Sequence, residues 1–343
     1  MIIVLRPDIT EEQFNHIIEK IESHGLRAHI SKGTERTIIG AIGDESVIRN
    51  LPLEAMPGVE NVMPVLKPYK LASRAFHPER SKIAVRDVVI GGDEVIVAAG
   101  PCSVEKGDTL IRTAVQVKNA GAKMLRGGAF KPRTSPYDFQ GLGEEGLKLL
   151  AEAREATGLP FITEVMETRT VEMVCKFADV LQIGARNTQN YDLLKEVGQT
   201  DKPILLKRGM SVSLNEFMLA AEYILNERNH NVILCERGIR TFETATRNTL
   251  DISSVAVLHY ETHLPVWVDP SHAAGHWRWV NPLSRAAVAI GADGLLIEVH
   301  IDPENAWSDG AQSLLPEKFA LLMKEIRKVA EAIGRTVSTG EDI

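Results

Sequence analysis

Residues 204–238 read ILLKRGMSVSLNEFMLAAEYILNERNHNVILCERG, and this stretch decides the fold. Ile204–Leu206 is a short apolar run of strand length that ends on Lys207-Arg208-Gly209. A helix is predicted near 213–227, and a second apolar run, Val232–Leu234, leads into Cys235-Glu236-Arg237-Gly238. Strand, helix and strand, with ionisable residues just after each strand, make a βα repeat unit.

The same unit recurs on both sides. Strands are predicted at Val95–Ala99, Lys123–Leu125, Pro160–Thr163, Val180–Ile183, Ile204–Leu206, Val232–Leu234, Pro265–Val268 and Gly294–Ile297. Helices are predicted near 107–120, 144–157, 168–178, 189–198, 213–227, 245–261, 281–291 and 316–333. Eight of each over about 255 residues predict an α/β fold of the (β/α)₈ TIM barrel type, whose usual length is about 250 residues. A doubly wound open sheet, the rival, does not demand eight units.

The residues at the strand ends favour closure. Just past the eight apolar runs stand Cys102, Arg126, Glu164, Arg186, Lys207, Glu236 with Arg237, Asp269 with His272, and Glu298 with His300. Loops are polar anyway, which accounts for any one of these. A closed barrel brings all eight to the single mouth where barrel enzymes do their chemistry.

Residues 1–66 form a separate pattern. Ile2–Leu5 suits a strand, and Thr10-Glu11-Glu12-Gln13 is a capping-box start for a helix with Phe14, Ile17, Ile18 and Ile21 on its apolar face. Strands at Arg27–Ser31 and Arg36–Ile42, a short helix at Glu45–Asn50 and a strand at Val59–Leu66 complete βαββαβ, the split-βαβ or ferredoxin-like arrangement. Pro64, Pro68 and Pro78 mark a linker, giving a small domain at 1–66, a linker at 67–80 and the barrel at 81–343.

Composition narrows the function. The 343 residues are 44% hydrophobic and 25% charged, the balance of a globular chain. Lys and Arg number 39 against 46 Asp and Glu, a net charge of -7, which argues against nucleic-acid binding. No apolar run approaches the roughly 20 residues that span a bilayer. The stretch Met1–Leu5 before Arg6-Pro7-Asp8 lacks a leader pattern, so a cytoplasmic location away from membranes is expected. Three widely spaced cysteines, Cys102, Cys175 and Cys235, do not suggest a disulfide framework; the last two are read as core.

Cys102, His272, Glu298 and Asp309 belong to strands 1, 7 and 8 and the loop after strand 8, which are neighbours in a closed barrel. A thiolate, an imidazole and two carboxylates suit a borderline divalent ion such as Mn, Fe, Co, Zn or Cu. The competing reading, a buried apolar Cys and a core His, explains the grouping only by chance. Arg126, Lys131, Arg133, Arg186, Lys207 and Arg237 supply six cations around the same mouth. Two phosphates at about 1.5–2 charges each plus one carboxylate would balance them. Gly141-Leu-Gly-Glu-Glu-Gly146 matches the dinucleotide fingerprint in letters, but it follows no strand and would put two glutamates against a pyrophosphate. His276 is read as loop.

Ala99-Gly-Pro-Cys-Ser-Val104, Leu125–Pro136 with its Lys131-Pro-Arg-Thr-Ser135 core, Gln182–Asn187, Leu234–Gly238, Val268-Asp-Pro-Ser-His272 and Ile297-Glu-Val-His300 together resemble the class I 3-deoxy-D-arabino-heptulosonate 7-phosphate synthase family. The likeness runs through the whole barrel, and residues 1–66 resemble the ferredoxin-like regulatory domain of one of its subgroups. It implies a transferase at the start of the shikimate pathway that condenses phosphoenolpyruvate with erythrose 4-phosphate and water and releases phosphate.

The resemblance also implies roles. Arg126, Lys131, Arg186, Lys207 and Arg237 would hold the enolpyruvate carboxylate and phosphate, and Arg133, Thr134 and Ser135 the sugar phosphate, with Asp269 in the substrate-binding set. Cys102, His272, Glu298 and Asp309 would bind the ion. Lys131 and Glu164, with Cys102 and His272, form the expected catalytic set: Lys131 beside the developing alkoxide, Glu164 positioning or deprotonating the water that adds at C2. His29 and Ser31 match the stretch where that subgroup binds its inhibitor, tyrosine or phenylalanine, and a homotetramer is implied. The nearest rival, 3-deoxy-D-manno-octulosonate 8-phosphate synthase, differs in the sugar-phosphate loop and normally lacks the N-terminal unit.

Overall fold

A computed structural model describes residues 1–33, 36–44, 47–48, 50–63 and 67–340. The chain divides into two compact units, Met1–Pro68 and Tyr69–Ile343.

In the first unit, strands β1 (Ile2–Leu5), β2 (Arg27–Lys32), β3 (Thr37–Ile42) and β4 (Val59–Met63) form an antiparallel sheet in the order β2-β3-β1-β4. Helix α1 (Glu11–Glu22) starts at the expected capping box, in which the Thr10 side chain accepts from the Gln13 N–H and the Gln13 side chain accepts from the Thr10 N–H. Ile17 and Ile21 of α1 are buried with Ile3, Leu5 and Ile39, and Phe14 and Ile18 pack at the margin. This is the expected ferredoxin-like topology. The helix expected over 45–50 and the end of the strand expected over 59–66 lie partly outside the described residues.

The second unit is a closed parallel barrel of β7 (Ile96–Gly100), β8 (Met124–Arg126), β9 (Phe161–Val165), β10 (Val180–Ile183), β11 (Ile204–Lys207), β12 (Val232–Glu236), β13 (Val266–Val268) and β14 (Gly294–Glu298), with β14 pairing back onto β7. The predicted strands are all present. Several extend one or two residues further than expected, because a parallel ladder bonds backbone to backbone and continues under a polar side chain. The connecting helices are α2 (Gly107–Asn119), α3 (Glu144–Thr157), α4 (Val171–Phe177), α5 (Tyr191–Gly198), α6 (Leu214–Asn226), α7 (Ser253–Glu261), α8 (Pro270–Ala274), α9 (Trp277–Ala289) and α10 (Pro316–Ala332). Two expectations are corrected. Residues 245–252 are loop, so the helix expected over 245–261 is only α7. The helix expected over 281–291 begins at Trp277, where His276 caps it, and carries Pro282 inside. No helix among the described residues is long and apolar enough to cross a membrane.

A hairpin of β5 (Ile83–Val85) and β6 (Val88–Ile90), absent from the predicted pattern, belongs to the barrel. Ile83, Val85, Val88 and Ile90 share one apolar cluster with the inward side chains Ile96, Ala98, Met124, Ile162, Val180, Leu205, Ile233, Cys235, Trp267 and Leu296. The alternate strand residues, such as Leu125, Phe161, Leu206 and Leu234, pack outward with the helix layer. Tyr69–Arg80, expected as linker, lie on the barrel: Glu222 accepts from the backbone N–H groups of Lys70, Leu71 and Ala72 at 2.8–2.9 Å, and Arg74 donates to the His259 carbonyl at 3.0 Å.

The four tryptophans, Trp267, Trp277, Trp279 and Trp307, all lie in the barrel unit, so their fluorescence follows its unfolding alone. Ile90→Ala, emptying a fully buried site beneath the barrel interior, is expected to lower that unfolding free energy by about 2–5 kcal/mol in a denaturant titration.

Candidate active site

Side chains alternate across a strand, so the barrel interior is read at every second residue. Two steps beyond the last inward apolar residue of each strand stand Arg126 (from Met124), Glu164 (from Ile162), Gln182 (from Val180), Lys207 (from Leu205), Arg237 (from Cys235), Asp269 (from Trp267) and Glu298 (from Leu296). Ala98 leads through Gly100 to Cys102 by the same count. One periodicity makes the apolar interior below and the polar site above.

The site opens into a cavity of about 350 Å³ lined by Arg126, Lys131, Arg133, Thr134, Glu164, Gln182, Arg186, Lys207, Arg237, His272 and Asp309. Two expected substrate contacts lie elsewhere. Asp269 is fully buried beneath the lining, where it pairs with Lys207 Nζ and His272. Ser135 is off the lining, its hydroxyl accepting from the Tyr137 N–H at 3.3 Å. In the other unit, His29 and Ser31 stand exposed two residues apart on β2, hence on one face of that strand.

Cys102, His272, Glu298 and Asp309 each offer one ligand atom, and the four atoms lie within 4.8 Å of one another. Each is held by a neighbour. His272 Nδ1 meets Asp269 Oδ2 at 2.7 Å, which requires the proton on Nδ1 and leaves the Nε2 lone pair as a donor to an ion. Arg126 Nη1 donates to Glu298 Oε1 at 2.8 Å, Lys131 Nζ to Cys102 Sγ at 2.9 Å, and Cys102 Sγ to Asp309 Oδ2 at 3.1 Å.

The protonation states suit the same role. Burial, with Glu298 beside it, pushes the Cys102 thiol up to about 12 against the pull of Lys131, so the thiolate needs a cation to form. Burial also lowers the His272 imidazole, outweighing Asp269 and Glu298, and keeps it neutral. For Glu298 and Asp309 burial pushes upward, but in the acid range where they titrate the protonated His272 attracts both. This pull, with Arg126 or the Cys102 hydrogen bond, prevails and holds both carboxyls below their ordinary range. A neutral imidazole, two ready carboxylates and a thiol awaiting a cation fit a divalent ion.

Glu164 stands apart from this cluster. Gln182 Nε2 donates to its Oε2 at 3.2 Å, whereas Oε1 is buried with no hydrogen-bond partner among the described residues. Burial lifts the carboxyl above its usual range, against the pull of Lys131 and Lys207. Gly184 makes the room: a Cβ there would come within 1.9 Å of Oε1.

Several site residues escape the sequence reading. Gln182 is within reach of it, being an inward position of β10. Arg240 and Arg247 come from the irregular segment after β12, where no periodicity points to the cavity they line. Gln312 donates from Nε2 to Glu298 Oε2 at 2.6 Å, and Arg247 Nη1 reaches Asp309 Oδ1 at 3.2 Å and Gln312 Oε1 at 3.0 Å.

Comparison with known proteins adds a second line. Residues 71–333 match the DAHP synthetase I family and residues 1–67 the DAHP synthase ferredoxin-like domain. The phospho-2-dehydro-3-deoxyheptonate aldolase of Thermotoga maritima is 52% identical over 338 residues, spanning 98% of this chain and 100% of the relative. A 2-dehydro-3-deoxyphosphooctonate aldolase of Syntrophotalea carbinolica is 33% identical over 271 residues, 74% of this chain and 96% of the relative. The crystal structure of the Thermotoga maritima enzyme, named there as DAHP synthase, matches with a TM-score of 0.93 at 51% identity, covering 98% and 99% of the two chains. A truncated form from the same organism matches with 0.74 at 50% identity, covering 78% of this chain and 98% of its own.

Asp269→Asn removes the partner that sets the His272 tautomer. It is expected to weaken divalent-ion binding by about 10–100-fold, measured by competition with a chromophoric chelator.

Proposed function

The chain belongs to the DAHP synthetase I family, and from that premise we propose its reaction: phosphoenolpyruvate condenses with erythrose 4-phosphate and water to give 3-deoxy-D-arabino-heptulosonate 7-phosphate and inorganic phosphate. This is a transferase activity and the first step of the shikimate pathway of aromatic amino acid biosynthesis. The observation that carries the reading is the joining of four ligand atoms within 4.8 Å to a cavity ringed by cations. Arabinose 5-phosphate as acceptor, the alternative, is disfavoured: relatives named for the octulosonate reaction reach 33% identity against 52%.

Arg126, Lys131, Arg186, Lys207 and Arg237 bind the enolpyruvate carboxylate and phosphate, Arg offering a planar fork and Lys a point charge. Arg133 and Thr134 hold the sugar phosphate, and Ser135, off the lining, shapes their loop by accepting from the Tyr137 N–H. Cys102, His272, Glu298 and Asp309 would hold a divalent ion, Mn, Fe, Co, Zn or Cu, which when bound would supply Lewis-acid polarisation of the aldehyde. Lys131, whose ammonium stands beside Cys102, stabilises negative charge developing on the aldehyde oxygen as C3 of the enolpyruvate forms the new bond. Cationic character then appears at C2, and Glu164 Oε1 accepts the proton of the water that adds there. Collapse of the resulting hemiketal phosphate releases inorganic phosphate. Asp269 acts from beneath the lining, holding Lys207 and His272 in place.

Residues 1–66 form a regulatory unit in which His29 and Ser31 hydrogen-bond the phenol of tyrosine; phenylalanine is the weaker candidate. The assembly is a homotetramer, and the enzyme works in the cytoplasm on small phosphorylated substrates.

Phosphate release from phosphoenolpyruvate is expected with erythrose 4-phosphate and not with arabinose 5-phosphate, and to fall at least about a hundredfold after exhaustive chelation. Release that survives complete metal removal would overturn the metal assignment. Deleting residues 1–66 is expected to abolish inhibition by tyrosine while phosphate release persists; unchanged inhibition would remove that unit from regulation.

A further inference from the structure

The alternation that turns Lys207 and Arg237 into the cavity turns the residues beside them, Arg208 and Glu236, outward. There they follow Leu206 and Leu234, which pack in the large apolar cluster between the barrel and its helices. Both are buried, Glu236 completely, and they join across the β11–β12 pair. Arg208 Nη1 donates to Glu236 Oε2 at 2.9 Å and to Asp251 Oδ2 at 2.8 Å, and its Nε donates to the Val212 carbonyl at 2.8 Å. Glu236 Oε2 also accepts from Ser254 Oγ at 3.3 Å, and Oε1 accepts the Gly238 N–H at 2.5 Å.

A buried ion pair is weak evidence for stability, since well-packed apolar side chains often do as well or better. This pair lies directly behind two substrate cations, and Arg237 depends on it more than Lys207 does. Lys207 is anchored on Asp269. The Arg237 guanidinium reaches, among the described residues, only the carbonyls of Gly238 and His272, at 3.3 and 3.4 Å. Its direction therefore rests on the His272 carbonyl and on the backbone from 236 to 238, and Glu236 Oε1 holds that backbone through the Gly238 N–H.

We infer that Glu236 and Arg208 are positioning residues: from the outer face of the barrel wall they aim Arg237 at the phosphoenolpyruvate anion. The inference rests on the proposed substrate and adds to it that anion affinity is set from outside the cavity. Loss of Arg208 would also free the Glu236 carboxylate to attract Arg237 away from the cavity, so both effects weaken anion binding. The ion ligands, on and beside β7, β13 and β14, stand on other strands and should not respond.

The experiment uses the full-length protein loaded with Mn²⁺. Phosphoenolpyruvate affinity is measured calorimetrically without the second substrate, and Mn²⁺ affinity by electron paramagnetic resonance of the free ion. Glu236→Gln and Arg208→Met are expected to weaken phosphoenolpyruvate binding by about tenfold or more, the scale of a small misplacement of a binding group. Mn²⁺ affinity should stay within about twofold and Arg208→Lys should recover part of the loss, since a lysine replaces one charged donor of the fork. Unchanged phosphoenolpyruvate affinity with Mn²⁺ binding intact would overturn the inference, and so would a parallel fall in both affinities, which marks damage to the whole barrel. If neither variant folds, Asp251→Asn, at the more open end of the network, carries the same comparison, and the same two results count against the inference. Failure of the unaltered protein to bind phosphoenolpyruvate would instead strike the proposed substrate.

Discussion

The strand-borne part of the site depends on the two-residue alternation of the barrel strands and on its persistence past the last apolar side chain. Ile162 and Glu164, Leu205 and Lys207, and Leu296 and Glu298 are pairs of the same kind, one member closing the dry interior and the next opening the polar mouth. A one-residue slip in any strand would turn its functional group into the helix layer and its apolar neighbour into the cavity. The fold and the chemistry are thus constrained by one register, and the β5–β6 hairpin helps by closing the apolar interior opposite the mouth.

The electrostatics follow from that crowding. Cations and metal ligands are interleaved: Arg126 on Glu298, Lys131 on Cys102, Arg247 on Asp309, Lys207 on Asp269. Arg126, Arg247 and Lys207 each have a carboxylate counter-charge, which offsets part of the self-repulsion of a basic mouth in a protein of net charge -7. The same pairings keep the carboxylate ligands ionised while burial keeps the thiol protonated and the imidazole neutral. A second tier lies behind the residues that line the cavity. Asp269 sets the His272 tautomer, Gln312 spans Glu298 and Arg247, and Glu236 with Arg208 braces the turn that carries Arg237.

Much of this is legible along the chain. The eight βα units, the ferredoxin-like order of residues 1–66, the four ion ligands and the ring of cations all follow from short-range pattern plus the closure of a barrel. The shortfalls have physical causes. Side-chain polarity marks the strand ends too early, because the ladder is made by the backbone alone. The helix after β12 is shorter than its sequence suggests because the polar stretch before it, 245–252, lies against Ala273 and Ala274 through backbone hydrogen bonds that have no periodicity. Ser135 shares a loop with Arg133 yet stays off the cavity lining, since a loop has no alternation to fix where its side chains point.

By itself the sequence determined which residues face inward, because a period of two or of 3.6 is a local property of the backbone. It also determined the chemical kind of site, because thiol, imidazole, carboxylate and guanidinium groups are inventory. Only the tertiary structure decided who pairs with whom. That Asp269 serves His272 and Lys207 from beneath the lining, that Gln312 and Arg247 join the ion ligands, and that Arg208 and Glu236 sit behind Arg237 all depend on distances between strands and loops far apart in the chain. Those distances are set by closing the barrel, which no local period encodes.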